Sequence, residues 1–269
     1  MKTGMITLTV PEAKRLIARG VAELPQIKHA MTNGTIVISG GTTNGYVAEE
    51  LTGKSIDKVL YTAGIICGGR GCVTDPAKRL DPLVLEKGAV STAPWTEAVE
   101  KMQPGDIFLK GGNAVDAAGN VGVMLGSPVG GTIGKALGIL SARGVEMVAP
   151  VGNEKLVPSV IRAAGTMGIG KLDYSHGLPC GMHVVAGATV VDEIRALELL
   201  SGCRATVAAG GGVGDSQGAV TLTFCGEQQA FDKAINLLEN IKGEQPVPGD
   251  SRDCPCTAPC DYGKSQSRK

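Results

Sequence analysis

Three observations predict an α/β chain. Short apolar runs alternate with helical patterns as far as about Asp173. Those runs are near-continuous in apolar residues, as in "TIVIS" and "VEMVAPV", rather than alternating with polar ones. Beyond Asp173 the order changes to strand, helix, strand, strand, helix. Continuous apolar strands belong to a mostly parallel sheet covered by helices on both faces, and the later order to a small α+β unit.

In chain order, Pro11 to Met31 reads as a helix with Ala13, Leu16, Ile17 and Val21 on one face and a proline at its start. "NGTIVIS" is a turn and a buried strand, and "TTNGYVAEELTG" a helix stopped by Gly53. "DKVLYTAGII" reads as a strand, "PWTEAVEKM" as a short helix and "GDIFLKGG" as a strand. "GGTIGKALGILSARG" is a helix and "VEMVAPVG" a strand running into "NEKLVPSVIRAAG". The later unit, "HVVAG", "ATVVDEIRALELLSG", "ATVAAGG", "AVTLTF" and "EQQAFDKAINLLENIKG", is of ferredoxin-like type, its two middle strands joined by the Gly-rich "GGGVGDSQG". Val191, Ile194, Leu197 and Leu200 share one helix face there, and Phe231, Ile235, Leu238 and Ile241 another. The expected division is an α/β domain over 1–185, a small α+β domain over 186–243, and a polar, Cys-containing tail over 244–269.

Composition narrows the partners. The 269 residues carry 26 Lys+Arg against 26 Asp+Glu, so there is no basic excess of the kind nucleic-acid surfaces show, and no nucleic acid is expected. The opening "MKTGMITLTVPEAKRL" lacks the apolar stretch of a secretory leader. The apolar segment 121–140 is rich in glycine and holds Lys135, so no membrane span is expected. A cytoplasmic protein follows, in which the 8 cysteines are thiols or metal ligands rather than a disulfide framework.

A Gly-rich turn between a strand and a helix suits an anion, because the first helical N–H groups lack internal partners and carry the positive end of the dipole. Gly40, Gly41, Thr42, Thr43 and Asn44 stand at such a turn. A tight strand-to-helix turn with a threonine cap is the alternative.

Two blocks carry a family resemblance. "KRLIARGVAELPQIKHAMTNGTIVISGGTTNGYVAEEL" resembles the opening of the ribose-5-phosphate isomerase and DeoR-sensor fold, where a Gly-[Gly/Ser]-Thr turn holds a sugar phosphate. "GDIFLKGGNAVDAAGNVGVMLGSPVGGTIGKALGILSARGVEMVAPVGNEKLVP" resembles the central block of initiation-factor-2B-alpha-type proteins and methylthioribose-1-phosphate isomerase. Together they span roughly 14–158 and imply the NagB/RpiA/CoA-transferase-like superfamily, a Rossmann-like sheet, a phosphorylated small molecule as partner and a homo-oligomer. The resemblance places Gly40, Gly41, Thr42 and Thr43 on the phosphate, with Arg70, Lys110, Gly112 and Lys155 supplying charge and backbone, and Cys67, Asn113 and Asp116 around the reacting carbon. The alternative for Lys110 and Lys155 is simple exposure at strand ends. Asn113 departs from the isomerase pattern, which has an Asp there, and a carboxamide is no general base. That leaves two roles open: an isomerase-like enzyme or a non-catalytic sensor.

A metal- or redox-active cysteine protein is the third expectation. Cys67 and Cys72 flank Arg70 in "CGGRGC", which would favour a reactive thiolate near the ligand. His176, Cys180 and His183 have the spacing of a soft-metal site, and Cys254, Cys256 and Cys260 in "CPCTAPC" could hold a metal or an iron–sulfur cluster. Cys203 and Cys225 read as small core residues.

Overall fold

The computed structural model describes residues 1–249. The chain is a mixed α/β protein built on one six-stranded mixed sheet. Its order is β1 (Lys2–Leu8), α1 (Val10–Glu23), α2 (Pro25–Asn33), β2 (Thr35–Ile38), α3 (Thr42–Thr52), β3 (Gly64–Cys67), β4 (Arg70–Val73), β5 (Leu83–Glu86), β6 (Ala89–Ser91) and α4 (Trp95–Lys101). There follow β7 (Ile107–Leu109), β8 (Ala114–Val115), β9 (Val121–Leu125), α5 (Gly131–Arg143), β10 (Glu146–Pro150), α6 (Val160–Thr166), β11 (Gly181–Val185), β12 (Thr189–Val191), α7 (Glu193–Ser201), β13 (Arg204–Gly211), β14 (Ala219–Gly226) and α8 (Gln228–Glu239).

The main sheet runs β12-β10-β7-β2-β5-β6. Its first four strands are parallel, and β5 and β6 continue it antiparallel. Strand alternation divides the interior in two. Ile36, Ile38, Ile107, Leu109 and Val148 point into a core shared with α1, α3, α7 and α8. Val37, Phe108, Met147 and Ala149 point to the opposite face, against α4 and α5. Both faces are therefore covered, which is why the strands read as unbroken apolar runs. A second sheet, β1-β14-β13, is antiparallel and closes the far side of the first core through Leu8, Leu222 and Phe224.

Four departures from the sequence reading have physical causes. The single helix expected over Pro11–Met31 is two, α1 and α2, because Pro25 cannot continue the hydrogen-bond ladder of the first. Lys2–Leu8 is a strand that was not foreseen, since its partner β14 lies at the other end of the chain. Thr189–Val191 does not open the helix but adds β12 to the main sheet beside β10; Asp192 then caps α7 through the Arg195 N–H. "DKVLYTAGII" is mostly turn: only its end enters β3, which pairs with β4 alone as a separate hairpin. On α8, Leu238 and the following Ile241 are buried and Phe231 stacks on Phe224 at 5.4 Å, whereas Ile235 is 38% exposed. No helix of the described residues is long and apolar enough to cross a membrane.

Candidate functional site

The parallel strands β2, β7 and β10 end side by side, and each is followed by glycine: Gly40-Gly41 after β2, Gly111-Gly112 after β7 and Gly152 after β10. The carboxyl ends of parallel strands are where open α/β sheets leave a crevice.

After β2 the chain turns sharply into α3. The Gly41 N–H donates to Tyr61 O at 2.8 Å. A Cβ on Gly40 would stand 2.8 Å from that same oxygen, so only glycine passes. Asn44 ties the turn down. Its Nδ2 donates to Ser39 O at 2.7 Å, to Ser39 Oγ at 3.2 Å and to Leu109 O at 3.3 Å, bridging the ends of β2 and β7. Its Oδ1 accepts nothing, although Asn44 is only 1% exposed. That oxygen lies 3.6 Å from where a Cβ on Gly111 would stand. The Thr43 hydroxyl is likewise buried without a partner. Buried polar atoms normally find partners, so two orphans in the first turn of one helix mark a place prepared for something else.

Three lysines converge on the same end. Lys110 follows β7 and its N–H still bonds to Val148 O at 3.0 Å, so it sits at the level of the sheet. Lys155 ends a short 3-10 turn, Asn153–Lys155, and its Nζ donates to Gly112 O at 3.0 Å. Lys14 comes across from α1. Burial and the Lys155 charge push both Lys14 and Lys110 down to about 8. Among the described residues neither forms an ion pair, and Lys155 reaches only Glu154, at 3.9 Å.

Two glutamates face the lysines around Gly152, where a Cβ would stand 1.9 Å from Glu154 Oε2 and 2.8 Å from Glu193 Oε1. Glu193, the first residue of α7, accepts from the Asn153 N–H at 2.9 Å and from Asn153 Nδ2 at 2.7 Å. Burial, with the Glu154 charge beside it, raises its carboxyl to about 7. Both Glu154 oxygens are buried without a hydrogen bond. Ammonium groups, orphaned acceptors and the raised Glu193 carboxyl can hold an anion and move a proton in one place.

Of the residues singled out in the sequence, Gly40, Gly41, Thr42, Thr43, Lys110, Gly112 and Lys155 are brought to this end. The others lie elsewhere or are engaged. Cys67, Arg70 and Cys72 belong to the β3–β4 hairpin, which does not join the main sheet; it docks through Leu178 N–H to Gly71 O at 2.8 Å and Arg70 Nε to His176 Nε2 at 3.1 Å. Cys67 therefore does not follow a crevice-lining strand, because the strand before it is not part of the parallel run. Asn113 is exposed, and its Oδ1 accepts the Met124 N–H at 2.9 Å. Asp116 accepts from the N–H groups of Ala118, Asn120 and Val160. Those bonds hold its carboxyl below the usual range and make it the anchor of the β8–β9 turn and of α6.

His176 is exposed, Cys180 is buried with Leu178, and His183 sits on β11 opposite Val123. The described residues contain no group of three or more His, Cys, Asp or Glu placed to hold a metal, so the H-x3-C-x2-H spacing does not close into a site. Cys254, Cys256 and Cys260 lie outside the described residues. Lys14, Glu154 and Glu193 were missed. Lys14 falls within the expected helix over Pro11–Met31 with no role of its own, and Glu193 within a longer helix; the "GNEK" after an apolar strand is the one available signal.

No protein-family model matches the chain, and neither a curated protein nor a solved structure matches it.

Proposed function

We propose that the chain binds a phosphorylated small molecule of sugar-phosphate type where β2, β7 and β10 end, and acts on it as an isomerase-like enzyme. One observation carries this reading: Lys110 and Lys155, following β7 and β10, and Lys14, on which the Lys155 charge acts, stand at the end of the sheet where the first turn of α3 leaves Thr43 Oγ1 and Asn44 Oδ1 without partners. The phosphate lies on the first turn of α3 with Lys14 and Lys155; Asn44 Oδ1 accepts a substrate hydroxyl. Glu154, neither oxygen of which has a hydrogen-bond partner, moves the proton between neighbouring carbons. The parallel run is then Rossmann-like, in keeping with the resemblance noted in the sequence. A sensor without turnover is the second reading, favoured by the engagement of Asn113 and Asp116 in local turns.

The test is a thermal melt with ribose 5-phosphate and inorganic phosphate. Ligand at a hundred times its Kd adds ~2.7 kcal/mol. At about 2–4 °C per kcal/mol for a chain of this size, the midpoint rises by several degrees. Thr43→Val removes a hydroxyl that has no partner, so it should leave the ligand-free midpoint unchanged or raised while abolishing most of the shift. A shift of equal size in Thr43→Val and Lys155→Met would place the anion elsewhere. Exchange of a substrate carbon-bound proton with deuterated water, lost in Glu154→Gln, separates the enzyme from the sensor.

A further inference from the structure

The three lysines are not equivalent. Lys155 is tied to Gly112 O at 3.0 Å and stands 3.9 Å from Glu154. Lys14 feels the Glu154 carboxylate. Lys110 alone has neither: no carboxylate acts on it, and its Nζ makes no hydrogen bond or ion pair with any described residue. It is half-buried in the middle of the parallel run, between the ends of β2 and β10, with only glycines after it. A lysine held this way, desolvated and beside a second cation, gives up its proton more readily than an exposed one, so a larger share of it is neutral amine near pH 7.5.

We propose that Lys110 is a nucleophile that forms an imine with the carbonyl carbon of the bound molecule, so that the ligand class is an aldehyde or ketone. The inference rests on the reading of this end of the sheet as a ligand site but not on the phosphate. The Nζ lone pair attacks the carbonyl carbon and gives a carbinolamine. The carbonyl oxygen then leaves as water, carrying the two hydrogens of the amine, and a C=N bond to Nζ remains. No oxidant, reductant or metal is needed. The adjacent Lys155 charge and the burial of Lys110 both favour the neutral amine at the start. Asn44 Oδ1, next to Gly111, is placed to accept from the carbinolamine hydroxyl. The imine nitrogen then takes a proton from solvent, and Glu154, neither oxygen of which has a hydrogen-bond partner, is the group that removes a proton from the carbon next to the resulting iminium, which is far more acidic than the carbon next to the parent carbonyl.

Pyridoxal and pyridoxal 5′-phosphate, each followed by borohydride reduction and peptide mass mapping, test this on the whole chain. At pH 7.5 both should modify Lys110 roughly tenfold or more faster than exposed lysines such as Lys54 and Lys78, because a far larger fraction of it is neutral. Lys110→Arg keeps the charge and cannot form an imine; it should lose that adduct while its melting curve shows it folded. Lys155→Gln, by removing the neighbouring cation, should move the pH profile of Lys110 labelling upward. Label spread over exposed lysines with the Lys110 peptide unmodified, or equal labelling in Lys110→Arg, would overturn the proposal. The phosphate reading fails separately: pyridoxal and its phosphate would then label Lys110 equally fast. A phosphate-dependent melting shift with an inert Lys110 would sink the imine and leave the anion site standing.

Discussion

The glycine-rich ends of β2, β7 and β10 and the β3–β4 hairpin with its neighbours both looked chemical in the sequence, yet they differ in one physical respect. In the hairpin region polar groups are engaged locally. Arg70 meets His176, Cys72 Sγ lies 3.6 Å from Val73 O, Thr74 Oγ1 donates to Thr62 O at 2.6 Å, and the Asp116 carboxylate collects the amides of its own turn. At the strand ends, Thr43 Oγ1, Asn44 Oδ1 and both oxygens of Glu154 are buried with nothing to bond. The first arrangement holds a fold; the second costs stability, which is why the proposed site is drawn from unsatisfied groups rather than from reactive residue types.

The sharpest way to break this contrast is through Glu193. Its carboxyl is raised from the ordinary 4.5 to about 7 by burial and by Glu154. The folded chain then holds a proton that the unfolded chain has already released between those two values. Stability from this group is present below about 4.5 and is lost as pH climbs to about 7, a swing on the order of 3 kcal/mol. Glu193→Gln should remove that slope, so the difference in unfolding free energy between the variant and the natural chain should grow in the variant's favour from pH 4.5 to 8. Parallel curves from denaturant titrations would mean the pair is not strained.

A smaller effect is expected where the two regions meet. The Tyr61 hydroxyl donates to Ile38 O at 2.5 Å and accepts from the Leu83 N–H at 3.1 Å, while Tyr61 O holds the Gly41 N–H. Tyr61→Phe leaves a buried amide and a buried carbonyl short of partners and should cost ~1–3 kcal/mol. The midpoint should fall while the phosphate-induced shift persists, since the backbone bond to Gly41 remains. The smallest effect should come from Cys67→Ser with Cys72→Ser, both partly exposed: within about 0.5 kcal/mol, and no change in phosphate binding. Loss of the ligand shift in that double variant would return the thiols to the site.

What could be read from the sequence followed from locality. "TIVISGGTT" is strand, turn and helix start within nine residues, and all three formed as expected. "GDIFLKGG" and "VEMVAPVG" gave β7 and β10 for the same reason, and with them Lys110 and Lys155. The rest depended on distant pieces meeting. Lys14 counts only because α1 lies across the strand ends, and Glu193 only because β12 joins β10 and sets the start of α7 beside Gly152. Cys67 looks well placed in the sequence because "DKVLYTAGII" reads as a strand with Cys67 in the loop after it; pairing, not propensity, decides which sheet a short apolar run joins.

The pairing of β1 with β14 also has a consequence for how the protein is made. Val220, which Leu8 lies against, is made about 210 residues after it. At about 5–20 residues per second the first strand waits roughly 10–40 s for its neighbour. During that interval Leu8, Leu16 and Ile17 lack the cover that Leu222 and Phe224 later provide. The nascent chain thus carries an unpaired edge and an open apolar face until β14 is made, which is the condition chaperones that bind emerging chains are suited to meet.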